Sequence, residues 1–411
     1  MNYGCIGEHL SHSFSRDIHG KLDDYDYILK EIPPAELDAF MRRRDFKAIN
    51  VTIPYKQAVI PYLDHISDTA KRIGAVNTIV NRDGELWGYN TDFGGMKALI
   101  ARCGLDLAGR KVLICGTGGT SRTAMAVAEC LGAAGVYRLS RSARDGAISY
   151  EEAYERHSDA RILINTTPCG MYPHNGTMAI DPARFPKLEG AIDAVYNPLS
   201  SAFVRAARSC GASAAGGLYM LVMQAVLAWE IFTGRSCEAE KAESVYRDML
   251  RARENVVLIG MPASGKSSVG AILAEKLGRE LVDSDALIVE KAGERIPAIF
   301  EKHGEAYFRE LESEVIRAAS ARTGIVLATG GGAVLRGENV DALRQNGRLF
   351  WLDRPLAELI PTADRPLGNS PEALKKRYEE RYPLYRAAAD ERIDGTRSAG
   401  EAAARILEMI E

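Results

Sequence analysis

The chain contains, near its middle, a loop whose sequence constrains the fold more than any other feature. The run GMPASGKS at 260–267 fills every position of the pattern G-x-x-x-x-G-K-[ST], between an apolar strand pattern, NVVLIG, and a helix pattern, VGAILAEKLG. In that context backbone N–H groups surround phosphate, Lys266 brings a positive charge to the β- and γ-phosphates, and Ser267 can ligate Mg²⁺. A Gly-rich turn with only a structural role is disfavoured, because every position is filled. The residues assigned to nucleotide binding are Gly260, Ala263, Ser264, Gly265, Lys266, Ser267 and Ser268.

A second Gly-rich turn, GTGGTS at 116–121, follows the strand pattern KVLIC and opens a helix pattern. It is a weak signal alone, because Ser121 stands where G-x-G-x-x-G has its third glycine. The next strand ends in SRSAR at 140–144, where a NAD site would carry an acidic residue for the ribose 2′-hydroxyl. Two arginines suit a 2′-phosphate, so NADP is favoured, with a solvated basic turn as the alternative. The residues assigned to the dinucleotide here are Gly116, Gly118, Gly119, Thr120, Ser121, Arg141 and Arg144.

The bulk properties of the chain are those of a soluble globular protein with several domains. At roughly 100–200 residues per domain, 411 residues predict two to four domains, and a complete strand–loop–helix pattern restarts at 255 after the polar stretch RARE. The net charge of −3 argues against binding nucleic acid through bulk positive charge. Seven cysteines, odd in number and without a CxxC pair, favour a reducing cytosol. No signal peptide is visible, and the apolar run 218–232 contains Gln224 and Glu230, which predicts a buried helix and not a membrane span.

Polar motifs follow the phosphate-binding loop in a fixed order. They are DSD at 283–285, GEAYFR at 304–309, GGG at 330–332, RPL at 365–367 and RYPLYR at 381–386. This ordered set resembles shikimate kinase over about 255–411, which implies a P-loop kinase domain with a mobile lid, ATP and Mg²⁺. The stretch between Trp351 and Tyr385 looks shorter than the family pattern. No arginine lies between Arg354 and Arg365, where the family often places one against adenine, so the adenine contacts stay open.

The resemblance to shikimate kinase implies a role for each matching residue. Ser267 and Asp283 are assigned to Mg²⁺, while Lys266, Asp285 and Arg365 are assigned to catalysis. Asp285, Arg309, Gly331 and Arg381 are assigned to shikimate, with the two arginines on its carboxylate, which planar guanidinium groups recognise well. Two further arginines, Arg377 and Arg386, are interpreted as surface residues.

The first 250 residues contain another ordered set of motifs. They are SHSFS at 11–15, NVTIPYK at 50–56, GAVNT at 74–78, GYNTD at 88–92, NTTP at 165–168, DAVYNP at 193–198 and GLYMLVMQ at 217–224. Together they resemble shikimate dehydrogenase over about 1–250. The resemblance places Lys56 and Asp92 as the catalytic pair beside the C3 carbonyl, and such a pair can supply the proton that an alkoxide needs. The residues implied for substrate binding are Ser13, Ser15, Thr52, Asn77, Tyr196 and Gln224, and Gly217 is implied on the cofactor side.

The predicted fold class is α/β throughout. A substrate-binding domain at 1–101, completed by 216–251, surrounds a Rossmann-type NADP domain at 102–215, and a P-loop kinase domain follows at 255–411. The expected function is reduction of 3-dehydroshikimate to shikimate with NADPH, followed by phosphorylation of shikimate to shikimate 3-phosphate, in the cytoplasm and without nucleic-acid or membrane partners. Two alternatives stay open: a dehydrogenase with a nucleotide-sensing kinase-like module, and a NAD-linked quinate dehydrogenase. The oligomeric state is also open, a homo-oligomer included.

Overall fold

The computed structural model describes residues 1–10, 13–142, 146–359 and 371–410. The chain divides into two compact units, Met1–Met249 and Leu250–Glu411. Arg144 and Arg365, which the sequence assigns to the dinucleotide and to catalysis, lie outside the described residues. Short 3₁₀ helices occur at Pro34–Glu36, Ile60–Tyr62, Pro182–Arg184, Ala333–Leu335 and Leu356–Glu358.

The first unit begins with a mixed six-stranded sheet. Its elements are β1 Tyr3–Gly7, α1 Ser15–Leu22, β2 Tyr27–Glu31, α2 Leu37–Arg43, β3 Ala48–Val51, β4 His65–Ile66, α3 Asp68–Ile73, β5 Thr78–Arg82, β6 Glu85–Tyr89 and α4 Asp92–Arg102. The strand order is β2-β1-β3-β5-β6-β4, in which β5 is antiparallel to both of its neighbours. β3 is buried along its whole length, as expected for a central strand covered on both faces.

A second, fully parallel sheet follows in the same unit. Its elements are β7 Lys111–Cys115, α5 Gly119–Cys130, β8 Gly135–Leu139, α6 Tyr150–Arg156, β9 Ile162–Asn165, β10 Gly190–Asp193, α7 Ala202–Ser209 and β11 Ser213–Ala215. The strand order is β11-β10-β9-β7-β8, so the chain reverses direction across the sheet beside β7. In such sheets ligands bind beyond the carboxyl ends of the strands at this reversal point, where GTGGTS lies.

The first unit ends with two helices, α8 Leu218–Thr233 and α9 Ala239–Arg251. α8 ends at Gly234 in the left-handed conformation and packs against α4. Its apolar residues are largely buried together with Gln224, which agrees with the expected buried helix. Within the part of the chain that the structure describes, no helix is long and apolar enough to cross a membrane.

The second unit contains one parallel five-stranded sheet. Its elements are β12 Asn255–Ile259, α10 Lys266–Leu277, β13 Leu281–Asp283, α11 Ser284–Ala292, α12 Ile296–Ser320, β14 Val326–Ala328, α13 Gly337–Asn346, β15 Gly347–Asp353, α14 Pro371–Ala388, β16 Glu391–Asp394 and α15 Ala399–Ile410. The strand order is β13-β14-β12-β15-β16. α12 is kinked at Gly304, whose φ is 80°, so the GEAYFR motif begins at a bend inside a helical segment. The α/β fold class is confirmed.

Candidate active sites

Lys56 and Asp92 form an ion pair at the edge of the first sheet. Lys56 lies in the turns after β3, and Asp92 is the first residue of α4. The Lys56 Nζ atom is 2.6 Å from Asp92 Oδ2, and the two side chains are 21% and 11% exposed. Partial burial reduces solvent screening, so the carboxylate orients the ammonium group strongly. The structure thus brings together the two residues that the sequence predicts as a catalytic pair.

A buried network of amides and hydroxyls lies beside this pair. Thr91, the neighbour of Asp92, donates its backbone N–H to Asn77 Oδ1 at 2.7 Å and receives the Asn77 amide on its hydroxyl at 3.0 Å. The same hydroxyl is 3.5 Å from Gln224 Oε1. Two of the predicted substrate-binding residues, Asn77 and Gln224, are therefore joined through Thr91, on which the sequence reasoning placed no role.

The other substrate-binding residues predicted in the first unit lie at three places: at the start of α1, after β3 and after β10. Ser15 is the first residue of α1, and its N–H faces the Ser13 hydroxyl at 3.4 Å. Thr52 directly follows β3 and is half-buried. Tyr196 belongs to the loop after β10, and its ring packs edge-on against Phe14 with centroids 5.2 Å apart. That contact joins the loop after β10 to the serine-bearing loop of the first sheet.

The turn after β7 has the geometry of a phosphate-binding turn. Gly116 has a φ of 112°, and an added Cβ would lie 2.7 Å from the Thr166 hydroxyl, so only glycine fits. Ser121 is buried and donates its hydroxyl to the Gly116 carbonyl at 2.7 Å, which closes the turn where a third glycine was expected. Open space adjoins Gly118 and Gly119 at the N-terminus of α5, where backbone N–H groups favour an anion.

The other residues assigned to the dinucleotide surround this turn. Thr120 lies in the first turn of α5, and Gly217 directly precedes α8. Arg141 is exposed just after β8, where a 2′-phosphate is expected.

Asp193, the first residue of the DAVYNP motif, is a buried carboxylate at the end of β10 to which the sequence assigns no role. It accepts hydrogen bonds from the Asn165 side chain at 2.9 Å, from the Val195 N–H at 3.0 Å and from the Ser201 hydroxyl. Burial raises the pKa of Asp193 to about 6, although these three donors act in the opposite direction. The carboxylate connects the ends of β9 and β10 and fixes the start of the loop that carries Tyr196.

The phosphate-binding loop of the second unit has its lysine folded onto the loop backbone. Lys266 Nζ donates to the carbonyls of Gly260 at 2.9 Å and Met261 at 2.8 Å. Ser267 donates its hydroxyl to Asp283 Oδ2 at 3.1 Å, while Asp283 Oδ1 accepts the N–H of Asp285 at 2.9 Å. A hydroxyl beside a carboxylate is the oxygen donor set that suits Mg²⁺, so the residues present fit that ion.

Three other loop residues complete the nucleotide assignments. Ala263 has a φ of 65°, a left-handed conformation that is unusual for a residue with a Cβ. Ser264 is buried next to Lys266, whereas Ser268 is exposed on the first turn of α10.

The expected acceptor site contains a carboxylate that the sequence reasoning missed. Arg309 Nη1 donates to Glu312 at 2.8 Å, and its Nη2 donates to Glu305 at 3.0 Å. Glu312 is almost fully buried, and that burial raises its pKa, while Arg309 acts in the opposite direction. Its spacing of three residues from Arg309 along α12 is the signal that could have identified it. Arg381, also buried, donates Nη1 to the Gly331 carbonyl at 2.9 Å.

The three glycines at 330–332 each contact a functional residue. A Cβ on Gly330 would overlap the Asp285 carboxylate, and one on Gly332 would overlap the Arg309 guanidinium. A Cβ on Gly331 would lie 2.6 Å from Pro262, inside the phosphate-binding loop. Close approach to Pro262 requires glycine at Gly331, whereas a Cβ at Gly330 or Gly332 would displace the end of the Asp285 or Arg309 side chain. The segment thus packs its bare backbone against both the loop and the acceptor residues.

The two arginines interpreted as surface residues differ. Arg386 is exposed, in agreement with that interpretation. Arg377 is half-buried and lies within electrostatic reach of Arg381, Glu305 and Arg309, so it belongs to the surroundings of the acceptor site.

Together, the two units define a class of protein. A dinucleotide-type sheet, with a partly buried Lys–Asp pair beside a network of polar side chains, is the arrangement of an oxidoreductase. A P-loop unit with residues that suit Mg²⁺ and with buried arginines at the expected acceptor site is that of a phosphotransferase. Residues 5–79 match the family model for the shikimate dehydrogenase substrate binding domain, and residues 262–411 match the one for shikimate kinase.

Known proteins agree with this class over the first unit. A shikimate dehydrogenase (NADP(+)) from Clostridium perfringens is 36% identical over 270 residues, which cover 60% of this chain and 97% of that protein. A chorismate mutase/shikimate 5-dehydrogenase fusion from Clostridium acetobutylicum has a similar structure, with a TM-score of 0.57, 32% identity, and coverage of 60% of this chain and 96% of that one. Shikimate 5-dehydrogenase from Thermus thermophilus, solved with NADP(H) and shikimate, has a TM-score of 0.55 and 29% identity, and covers 60% and 99%. The chain belongs to the shikimate dehydrogenase family and carries a shikimate kinase domain at its C-terminus.

Proposed function

We propose that the chain catalyses two successive steps of aromatic amino-acid (chorismate) biosynthesis in the cytoplasm. The first unit reduces 3-dehydroshikimate to shikimate with NADPH, and the second phosphorylates the C3 hydroxyl of shikimate with Mg·ATP. The observation that carries the proposal is that one chain holds both the Lys56–Asp92 pair and the Ser267–Asp283 pair next to a complete phosphate-binding loop. The product of the first reaction is the substrate of the second.

In the first reaction, the protein must position a ketone and deliver a proton to it. NADPH, when bound, supplies the hydride. Lys56 donates a proton to the oxygen that becomes the C3 hydroxyl, and Asp92 holds its ammonium group in place through the 2.6 Å ion pair. The amides of Asn77 and Gln224 offer donors and acceptors for the ring hydroxyls. Arg141 accounts for the preference for a 2′-phosphate.

In the second reaction, the protein positions two reactants and neutralises charge. ATP and Mg²⁺, when bound, supply the phosphoryl group and part of that charge neutralisation. Ser267 and Asp283 would hold the ion. Lys266, which contacts loop carbonyls in the structure, would have phosphate oxygens as its alternative partners. Asp285 accepts the proton of the C3 hydroxyl. Arg309 and Arg381 bind the substrate carboxylate.

A coupled assay tests the proposal directly. The purified chain, given 3-dehydroshikimate, NADPH and ATP with Mg²⁺, is expected to oxidise NADPH and accumulate shikimate 3-phosphate. Lys266→Ala should lower phosphorylation by at least about 10²-fold, because a preorganised charge is lost, and should leave NADPH oxidation intact. Lys276→Ala, an exposed position on the same helix, is the matched control and should leave both activities unchanged.

The alternatives predict other results, measured with the same purified chain. A nucleotide-sensing module would bind ATP without producing shikimate 3-phosphate. A quinate dehydrogenase would oxidise quinate with NAD faster than it oxidises shikimate with NADP. A parallel loss of both activities in Lys266→Ala would indicate misfolding and would not support local chemistry.

A further inference from the structure

We propose that Arg377 is a third guanidinium group of the carboxylate subsite in the kinase unit and determines its preference for an anionic acceptor. The proposal rests on the proposed shikimate kinase function and adds a residue that the sequence pattern had left on the surface.

Arg377 lies on the inward face of α14. Leu374, three residues earlier, and Arg381, four residues later, are both buried, so the helical repeat puts Arg377 on the same inward face. The neighbouring positions Lys376 and Glu380 are exposed. Arg377 itself is half-buried, as expected for a long side chain on that face.

The three arginines near the acceptor site differ in their hydrogen-bond partners. Arg309 already uses Nη1 on Glu312 and both Nε and Nη2 on Glu305. Arg381 uses Nη1 on the Gly331 carbonyl. Arg377 makes no hydrogen bond or ion pair with any of the residues that the structure describes.

The environment disfavours a lone cation at Arg377. Burial lowers the pKa of Arg377, and the nearby positive charges of Arg381 and Arg309 act in the same direction, opposed by Glu305 and Glu380. Arg309 has ion pairs with the buried Glu312 and the exposed Glu305, whereas Glu305 and Glu380 act on Arg377 only at longer range. Partial burial of a guanidinium group without a direct ion-pair partner is costly, and one planar carboxylate would offset that cost while accepting two parallel hydrogen bonds.

The inferred ligand group is therefore the single carboxylate of the acceptor. Glu305 is half-exposed and occupies two donors of Arg309, which a substrate carboxylate would also need. When the substrate binds there, Arg377 gives the site a donor fork that no described residue occupies. The residue should consequently influence binding of the acid far more than the phosphoryl transfer step.

The test measures phosphorylation kinetics of the full chain with shikimate and with its methyl ester, which lacks the charge. Arg377→Met should raise KM for shikimate by roughly 10–100-fold, as expected for loss of a charge-assisted hydrogen bond, with kcat and KM for ATP little changed. The ester should be almost insensitive to the change. Arg377→Lys should recover part of the loss, and Lys376→Met, the adjacent exposed lysine, should have no effect.

Each other outcome overturns the proposal or a part it rests on. If Arg377→Met affects shikimate no more than Lys376→Met does, Arg377 is not part of the subsite. If acid and ester lose activity equally, or kcat falls with both, Arg377 has a structural role and the proposal is wrong. If the unaltered chain does not phosphorylate shikimate at all, the proposed function fails first, which the same measurements reveal.

Discussion

The Lys56–Asp92 pair should behave as one unit in catalysis, and a double-mutant cycle can measure this. Lys56→Met removes the proton donor, and Asp92→Asn removes the charge that orients it at 2.6 Å. Because the two side chains are only 21% and 11% exposed, water replaces neither partner well. Each change should lower kcat for reduction of 3-dehydroshikimate by about 10²–10⁴, with little change in KM.

The size of the coupling follows from the geometry. A loss of 10²–10⁴ corresponds to about 3–5 kcal/mol of transition-state stabilisation. If Asp92 acts only by orienting Lys56, the double variant should lose no more than the worse single variant. Two independent contributions would instead multiply to about 10⁴–10⁸.

The assay follows NADPH oxidation by the purified full chain across a range of 3-dehydroshikimate concentrations. Lys71→Met, an exposed lysine on α3, is the matched control, and phosphorylation of shikimate by the same samples reports on folding of the other unit. Additive losses in the double variant would refute the idea of a coupled pair. A fall in kcat of less than tenfold in Lys56→Met would exclude Lys56 as the proton donor.

Three further predictions concern the cofactor, acid stability and the phosphate-binding loop. Arg141→Ala should weaken NADPH binding by roughly 10–150-fold in a fluorescence titration and leave NADH nearly unchanged, because only NADPH carries the 2′-phosphate; equal losses would make Arg141 structural. Burial lowers the pKa of His19 to about 3, so its neutral form stabilises the fold above pH 6.5, and that stability is lost as the pH falls from 6.5 toward 3. Unfolding curves should show a loss of about 1–2 kcal/mol in the first unit between pH 6.5 and 5 that His19→Phe lacks; an identical slope in both proteins would contradict this. Ala263→Gly should remove left-handed backbone strain of about 1–2 kcal/mol, offset in part because glycine gives the unfolded chain more conformational freedom. Calorimetry should then show the Tm of the second unit rising by roughly 2–4 °C, whereas a lower Tm would show that the turn is not strained.

Much of the fold could be predicted from local patterns. The loops after β7 and β12 were placed correctly because each combines a fixed glycine spacing with an apolar run before it and a helical run after it. α8, Leu218–Thr233, begins and ends within one residue of the apolar run 218–232 that predicted a buried helix. These signals are local, so the sequence carries them without any knowledge of tertiary contacts.

The missed parts of the sites depend on contacts between distant segments. Asp193 obtains its role from Asn165, 28 residues away in the sequence, and from a buried position that no local pattern specifies. Glu312 is an exception, because its three-residue spacing from Arg309 on α12 is a local signal, whereas the contact of Glu305 with Arg309 depends also on the bend at Gly304. The half-burial of Arg377 depends in the same way on how α14 packs. The sequence therefore indicated the Lys56–Asp92 pair but not the carboxylates that hold Arg309.

The three glycines after β14 leave space that residues from two different parts of the kinase unit use. Pro262 of the nucleotide loop packs on Gly331, while the ends of the Asp285 and Arg309 side chains pack on Gly330 and Gly332. The absence of a Cβ therefore admits the particular rotamers of Asp285 and Arg309 that the structure shows. An alanine at Gly331 would displace the nucleotide loop, whereas an alanine at Gly330 or Gly332 would displace an acceptor residue. Adjacent substitutions in one short segment should thus affect different substrates, the first ATP and the other two shikimate.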